Sequence, residues 1–161
     1  MKIRIGQGID FHRLEKDLGL WLGGIRIPSE KGCVAHSDGD VLLHALCDAM
    51  LGAAGLRDIG YHFPDTSPEL KNIDSKILLR NTFALIREKG YSVENVDSTV
   101  CLEKPKISSY IPEMKKAISE ILETSGENIS IKATTTEKMG FTGREEGVVA
   151  IAVVLLISDK I

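Results

Sequence analysis

Asp10 and His12 stand two residues apart at the end of an alternating run whose apolar residues Ile3, Ile5, Ile9 and Phe11 fall at odd positions. Strand side chains alternate between faces, so both polar groups project from the same one, with Gly6 and Gly8 permitting a bend or a close backbone approach. A carboxylate beside an imidazole suits a metal ion. Zinc takes both, and a catalytic zinc keeps three protein ligands and one open position. The candidate third ligand is His44, which lies nearly opposite the helical stripe Leu42, Leu46, Ala49, Met50 and Ala53. Asp40 and Asp48 sit one turn to either side, where a carboxylate can orient its second ring nitrogen. These residues equally fit a strand end in solvent and an ordinary polar helix face; D-x-H alone does not decide.

Three further stretches concentrate polar chemistry. His36-Ser37-Asp38-Gly39-Asp40 precedes that helix, where free N–H groups and the positive dipole end favour phosphate. Ser37 and Asp40 can instead form a capping arrangement, with His36 the residue that capping explains least. Ala133-Thr134-Thr135-Thr136-Glu137-Lys138 ends a strand before a glycine-punctuated loop, and offers hydroxyls for phosphate oxygens and a carboxylate for a hard divalent ion. Three threonines are also ordinary β-formers. Leu102 to Ser108, with Lys104 and Lys106, either holds part of a nucleotide or merely joins two elements.

The elements that must position these groups alternate in period. The strand carrying Asp10 is followed by a hairpin over 21–28 around Gly23-Gly24, then a helix over 40–54 closed by Gly55 and capped by Ser37 or Asp38. Residues 58–68, with Phe-Pro-Asp-Thr and Ser-Pro, read as a long loop. A helix over 74–89 turns Ile77, Leu78, Leu85 and Ile86 inward, and a strand spans 93–102. A helix over 107–124 carries Pro112 in its first turns, and strands over 129–135 and 148–157 follow. The last strand is apolar on both parities, which predicts helices on one face and a neighbouring subunit on the other. The expected fold class is an α/β (α+β) sandwich, a mixed sheet with helices on one face, in a single domain over 1–161.

Composition agrees. The 161 residues hold 20 Lys plus Arg against 23 Asp plus Glu, a net charge of −3 that offers no basic field to nucleic acid or an anionic membrane. The longest apolar run, Val148 to Ile157, is too short for a membrane helix, and the N-terminus lacks a secretion or transit signal. Cys33, Cys47 and Cys101 are odd in number and widely spaced, as in a reducing compartment, so a cytoplasmic protein is expected. Neither G-x-G-x-x-G opening a helix, nor a P-loop, nor G-x-S-x-G occurs.

The chain resembles the 2-C-methyl-D-erythritol 2,4-cyclodiphosphate synthases of the non-mevalonate isoprenoid pathway. The likeness rests on Gly8-Ile9-Asp10-Phe11-His12, Gly23 to Pro28, Ala35 to Val41 with His44, Asp58-Ile59-Gly60 with Phe63-Pro64-Asp65-Thr66, and Lys132 to Lys138 with Gly140 to Arg144. It implies that the 2-phosphate of 4-diphosphocytidyl-2-C-methyl-D-erythritol 2-phosphate attacks the β-phosphate of the same molecule, releasing CMP and the cyclic diphosphate. Zinc is then held by Asp10, His12 and His44, and magnesium or manganese by Glu137. His36 and Thr135 match positions that stabilise the transition state. Asp10, His12, His36, Ser37, Asp58, Ile59 and Gly60 match contacts to the methylerythritol phosphate, and Phe63, Pro64, Asp65, Thr66 and Ser67 match the covering loop. Leu102, Lys106 and Ser108, with Ala133, Thr134, Thr135, Thr136 and Glu137, match the cytidine and phosphate pocket.

The resemblance further implies a homotrimer with active sites between subunits, and Phe141 and Arg144 toward a threefold axis where a cavity takes an isoprenoid diphosphate. Gln7, Ile9 and the pair Tyr61-His62 depart from common family residues, outside the catalytic set; His62 is expected on the surface. Two other readings use the same residues: a zinc hydrolase of a nucleotide diphosphate, and a non-catalytic module that senses isoprenoid diphosphates through Arg144.

Overall fold

The computed structural model describes residues 1–158. Strand β1 (Lys2–Lys16) is long and continuous and pairs antiparallel with β7 (Gly147–Ser158) over twelve residues, from Lys2 opposite Ser158 to Arg13 opposite Gly147. With β4 (Lys31–Val34), β5 (Ser92–Cys101) and β6 (Ile129–Thr134) they form a five-stranded sheet in the order β4-β1-β7-β5-β6. Only β5 and β6 run parallel, so the sheet is mixed. The hairpin β2 (Leu20–Leu22) and β3 (Ile25–Ile27) stands apart, its turn made by Gly23 and Gly24 at φ 61° and 82°, as a two-residue turn of this twist requires.

Helix α1 (Val41–Ala54) lies on β1 and β7 and α4 (Ile111–Ile121) beside β6, with α3 (Ser75–Glu88) packed against both helices. Helix α1 is the central one, and its apolar residues are buried on nearly every side, beyond the single stripe that the sequence suggests. Gly6 and Gly8 act by close approach: a Cβ on either would overlap backbone of α1, at Ala49 and Ala45 respectively. The strand runs through both glycines without interruption.

This contact sets the polarity of the sheet. The even positions of β1, with Gly8, Asp10, His12 and Leu14, face α1, whereas Ile3, Ile5, Ile9 and Phe11 lie on the open face and are 45–72% exposed. Opposite them on β7, Ile157, Leu155 and Ile151 are half-buried on that same face, while Val148, Ala150, Ala152, Val154 and Leu156 enter the core. The double apolar parity of the last strand therefore has a helical layer on one side and an open apolar face on the other.

Several expectations need correcting. Asp40 caps α1, its carboxylate accepting from the Leu43 N–H, so neither Ser37 nor Asp38 is the cap. Within 58–68 a short helix α2 (Ile59–His62) forms, because the Asp58 side chain caps it at Tyr61 N. In α3, Ile77 is 42% exposed and Leu85 half-buried; Leu79, Thr82 and Phe83 fill the inward face instead. The helix expected from residue 107 opens as a 3-10 turn, Ser108–Tyr110, before α4, which carries Pro112 in its first turn and ends at Ile121. Among the described residues no helix is long and apolar enough to cross a membrane.

Candidate metal and phosphate site

Gly8 seats β1 directly on Ala45, so the next inward residues, Asp10 and His12, meet His44 one residue before that contact. His44 Nδ1 lies 3.1 Å from Asp10 Oδ2 and 3.2 Å from His12 Nε2, and His12 Nε2 lies 3.5 Å from Asp10 Oδ2. All three side chains are largely covered, with exposures of 26%, 14% and 11% for Asp10, His12 and His44. Among the described residues, this is the one group of three such side chains able to share an ion.

Proton placement on His12 is that of a metal ligand. His12 Nδ1 is 2.7 Å from the Phe11 carbonyl, which can only accept, so this nitrogen carries the hydrogen and Nε2 presents its lone pair to Asp10 and His44. Burial holds the His12 imidazole below its ordinary value; Asp10 pulls the other way, and His44 adds to the lowering. A neutral imidazole is the ligating form.

Beside the triad opens a cavity of about 450 Å³ lined by His12, His36, Ser37, His44, Ile59, Gly60, Phe63, Pro64, Asp65 and Thr66, with Ala35, Leu70, Ile73 and Leu78 as apolar wall. His36 Nε2 donates to the Ser67 carbonyl at 3.3 Å, tying the ring to the segment that forms the far wall. Asp48 accepts from Ile59 N at 2.7 Å and so anchors α2 along the cavity. Asp48 therefore does not orient His44, and Asp40 does not either: it is fully buried, accepting from Gly23 N and Gly24 N as well as Leu43 N. The groups beside His44 Nε2 are the hydroxyls of Ser75 and Ser37, at 2.9 and 3.2 Å. Sequence reasoning missed Ser75; its signal was Asp74-Ser75 opening an apolar helix, which reads only as a cap. Asp58 is outside the cavity lining, spent on α2.

The second expected cluster is separate. A cleft of about 110 Å³ is lined by Leu102, Lys106, Ala133, Thr134 and Thr135, with Pro105 and Ile107. Asp10, Ala150, Val100 and Ala133 stand in one row across β1, β7, β5 and β6. Three strand spacings put the two sites about 14 Å apart within one chain. Ser108 lies in the 3-10 turn, outside the lining. Thr136 Oγ1 donates to Met139 O at 2.7 Å and meets Thr142 Oγ1, shaping the loop. Glu137 is exposed at φ 54°, its carboxylate 3.4 Å from Thr135 Oγ1, and is not part of the triad. Phe141 packs on Phe11 with ring centroids 6.2 Å apart, and Arg144 is held by Glu146 at 2.9 and 3.1 Å. His62 donates to Leu56 O and stays out of the cavity.

Comparison with known proteins places this architecture. The model of the YgbB family matches residues 3–157. The chain is 61% identical over 156 residues to the 2-C-methyl-D-erythritol 2,4-cyclodiphosphate synthase of Parabacteroides distasonis, covering 97% of each. It is 59% identical over 159 residues to that of Bacteroides thetaiotaomicron, covering 99% of this chain and all of that one. A solved 2C-methyl-D-erythritol-2,4-cyclodiphosphate synthase with CDP bound superposes with a TM-score of 0.89 at 38% identity, covering 96% of this chain and 100% of that one. The bifunctional IspDF of Campylobacter jejuni gives a TM-score of 0.93 at 42% identity, covering 96% of this chain and 42% of the longer one.

Proposed function

The chain belongs to the YgbB family, and from that membership together with the Asp10–His12–His44 triad we infer that it is a 2-C-methyl-D-erythritol 2,4-cyclodiphosphate synthase. It is a lyase of the non-mevalonate isoprenoid pathway. A 2-phosphate oxygen of 4-diphosphocytidyl-2-C-methyl-D-erythritol 2-phosphate bonds to the β-phosphorus, the bond from that phosphorus to the bridging oxygen breaks, and CMP leaves with the electron pair. No water is consumed. The observation that carries the reading is a covered three-ligand metal site opening on a cavity large enough for a small phosphorylated polyol.

Two imidazoles and a carboxylate fit zinc better than magnesium. Tetrahedral bonds of about 2.0–2.1 Å require ligand edges of about 3.3–3.4 Å, and the three edges here are 3.1, 3.2 and 3.5 Å. When bound, zinc supplies charge stabilisation to phosphate oxygens at its fourth position. Glu137, one exposed carboxylate, fits magnesium or manganese, which takes one or two protein ligands and completes its shell with phosphates and water.

The remaining work falls to side chains. His36 faces the cavity and, with Thr135, stabilises charge developing on the transferred phosphoryl group. Ser37 and the Ile59–Gly60 turn hold the methylerythritol phosphate, with Asp10, His12 and Asp58 completing the contacts. Phe63 to Ser67 cover it. Leu102, Lys106, Ser108 and Ala133 to Glu137 hold cytidine and its phosphate. Both reacting phosphates belong to one molecule, so orientation replaces a second encounter.

The open apolar face of β1 and β7 supports a homotrimer, in which a neighbour's cytidine cleft completes each metal cavity. Phe141 and Arg144 then approach the threefold axis. An isoprenoid diphosphate in that central cavity must displace Glu146 from Arg144. The protein acts in the cytoplasm as one domain over 1–161, without nucleic acid or membrane partners.

Replacing His44 tests the metal assignment. His44→Ala is expected to lose zinc by at least about a hundredfold in affinity and turnover with it, whereas His36→Ala keeps fold and zinc but loses about 100- to 1,000-fold in kcat. Full zinc content and turnover in His44→Ala contradict the assignment.

A further inference from the structure

His44 differs from His12 in how its ring must be set. His12 donates to its own strand's carbonyl, whereas among the described residues the His44 ring is hydrogen-bonded to side chains only; its Nε2 meets Ser75 Oγ at 2.9 Å and Ser37 Oγ at 3.2 Å. A hydroxyl can donate or accept, so hydroxyls alone leave the tautomer open.

Asp38 closes that choice. Its carboxylate accepts from Ser75 Oγ, from Ser75 N at 3.0 Å and from Asp40 N at 3.2 Å. An ionised carboxylate only accepts, so the single Ser75 hydroxyl hydrogen is committed to Asp38, and Ser75 has only lone pairs left for His44. His44 Nε2 must then carry the hydrogen. In a neutral imidazole the lone pair falls on Nδ1, the atom that faces Asp10 and His12. Ser75 is fully buried at the first turn of α3, with Asp74 capping that helix, so the relay is held in place. Ser37 Oγ accepts from Gly39 N at 3.1 Å, which leaves its second lone pair for the Nε2 hydrogen and does not by itself fix the tautomer; the commitment of Ser75 does.

We propose that Asp38 and Ser75 are positioning residues for the metal site, a carboxylate-to-hydroxyl relay that fixes His44 with its hydrogen on Nε2 and its lone pair on Nδ1. The inference rests on the metal reading of the triad and adds two residues from the loop before α1 and from the start of α3. The wall segment between them is stitched to the same loop, through Asn72 N to His36 O at 2.7 Å and Asp38 N to Ile73 O at 3.1 Å, which holds Asp38 beside Ser75. Outer partners of metal-bound histidines are worth about 10- to 100-fold in metal affinity.

The test has two readouts, neither of them turnover. Nitrogen-15 NMR of the metal-free wild type at a pH where imidazoles are neutral is expected to show His44 protonated on Nε2; protonation on Nδ1 overturns the relay without any variant being made. Zinc affinity by chelator competition is expected to fall about 10- to 100-fold in Ser75→Ala and to recover to within a few-fold of wild type in Ser75→Thr. Asp38→Asn, whose amide can donate to Ser75 and reverse the relay, is expected to shift the His44 tautomer as well as weaken zinc. Wild-type protein that binds zinc while Ser75→Ala binds it equally well overturns the relay alone; wild-type protein that fails to bind zinc overturns the metal reading beneath it.

Discussion

The Asp40 carboxylate makes no hydrogen bond to a metal-triad side chain; it joins three backbone N–H groups from two elements: Leu43 in α1 and Gly23 and Gly24 in the hairpin turn. Removing it strands buried donors and a helix cap together, so Asp40→Ala is expected to cost about 3 kcal/mol in urea unfolding. Burial pushes the Asp40 carboxyl up to about 6, while hydrogen bonds from Gly24 and Leu43 pull it down. A folded value above the ordinary 3.8 means that the folded chain holds a proton that the unfolded chain has already released. This contribution to stability is therefore fully present below about pH 4 and is lost as pH rises through 6. Unfolding of wild type and Asp40→Asn at pH 4, 5 and 6.5 checks it: the wild-type advantage is expected to shrink along that series, and a constant difference contradicts the sign. At this scale the sequence exposed the ligands, because Asp10 and His12 share a strand face and His44 stands off an apolar stripe. It concealed their supports, because Asp38, Asp40 and Ser75 all read as generic cap residues until the tertiary fold gives each an unexpected partner.

Elements meet at the site because two glycines let a strand lie against a helix. Gly8→Ala is expected to push β1 from α1, costing about 3 kcal/mol and weakening zinc binding in the same protein. Gly60→Ala is a fitting control, since a Cβ there has only an ordinary contact, with Asp58 Oδ1 at 3.4 Å, and its stability is expected to stay within about 1 kcal/mol of wild type. Wild-type stability and zinc affinity in Gly8→Ala would mean that the close approach does not set the triad. Strands, hairpin and the three long helices were legible from periodicity, because each carries a long enough pattern. Helix α2 was not: four residues show no period, and it exists through one Asp58 cap and the Asp48 tether from another element. The outward turn of Ile77 likewise depends on how α3 sits over α1, which no local pattern encodes.

The whole molecule shows an apolar sheet face that a lone chain leaves in water, with Ile5 72% exposed and paired across to Leu155. Faces of this kind mark association. Sedimentation is expected to give about three times the 17.6 kDa chain mass, and Ile5→Asp is expected to give monomers that bind zinc but turn over poorly; a monomeric wild type contradicts the trimer. The apolar last strand announced a second packing layer from sequence, while the threefold assembly comes from resemblance alone. The fate of one substrate tests the cyclisation most directly. Phosphorus NMR of the purified protein with 4-diphosphocytidyl-2-C-methyl-D-erythritol 2-phosphate, zinc and magnesium is expected to show CMP and the cyclic diphosphate rising in equal amounts. CMP accompanied by a linear phosphate product, or no reaction in zinc-loaded protein, would contradict the cyclisation.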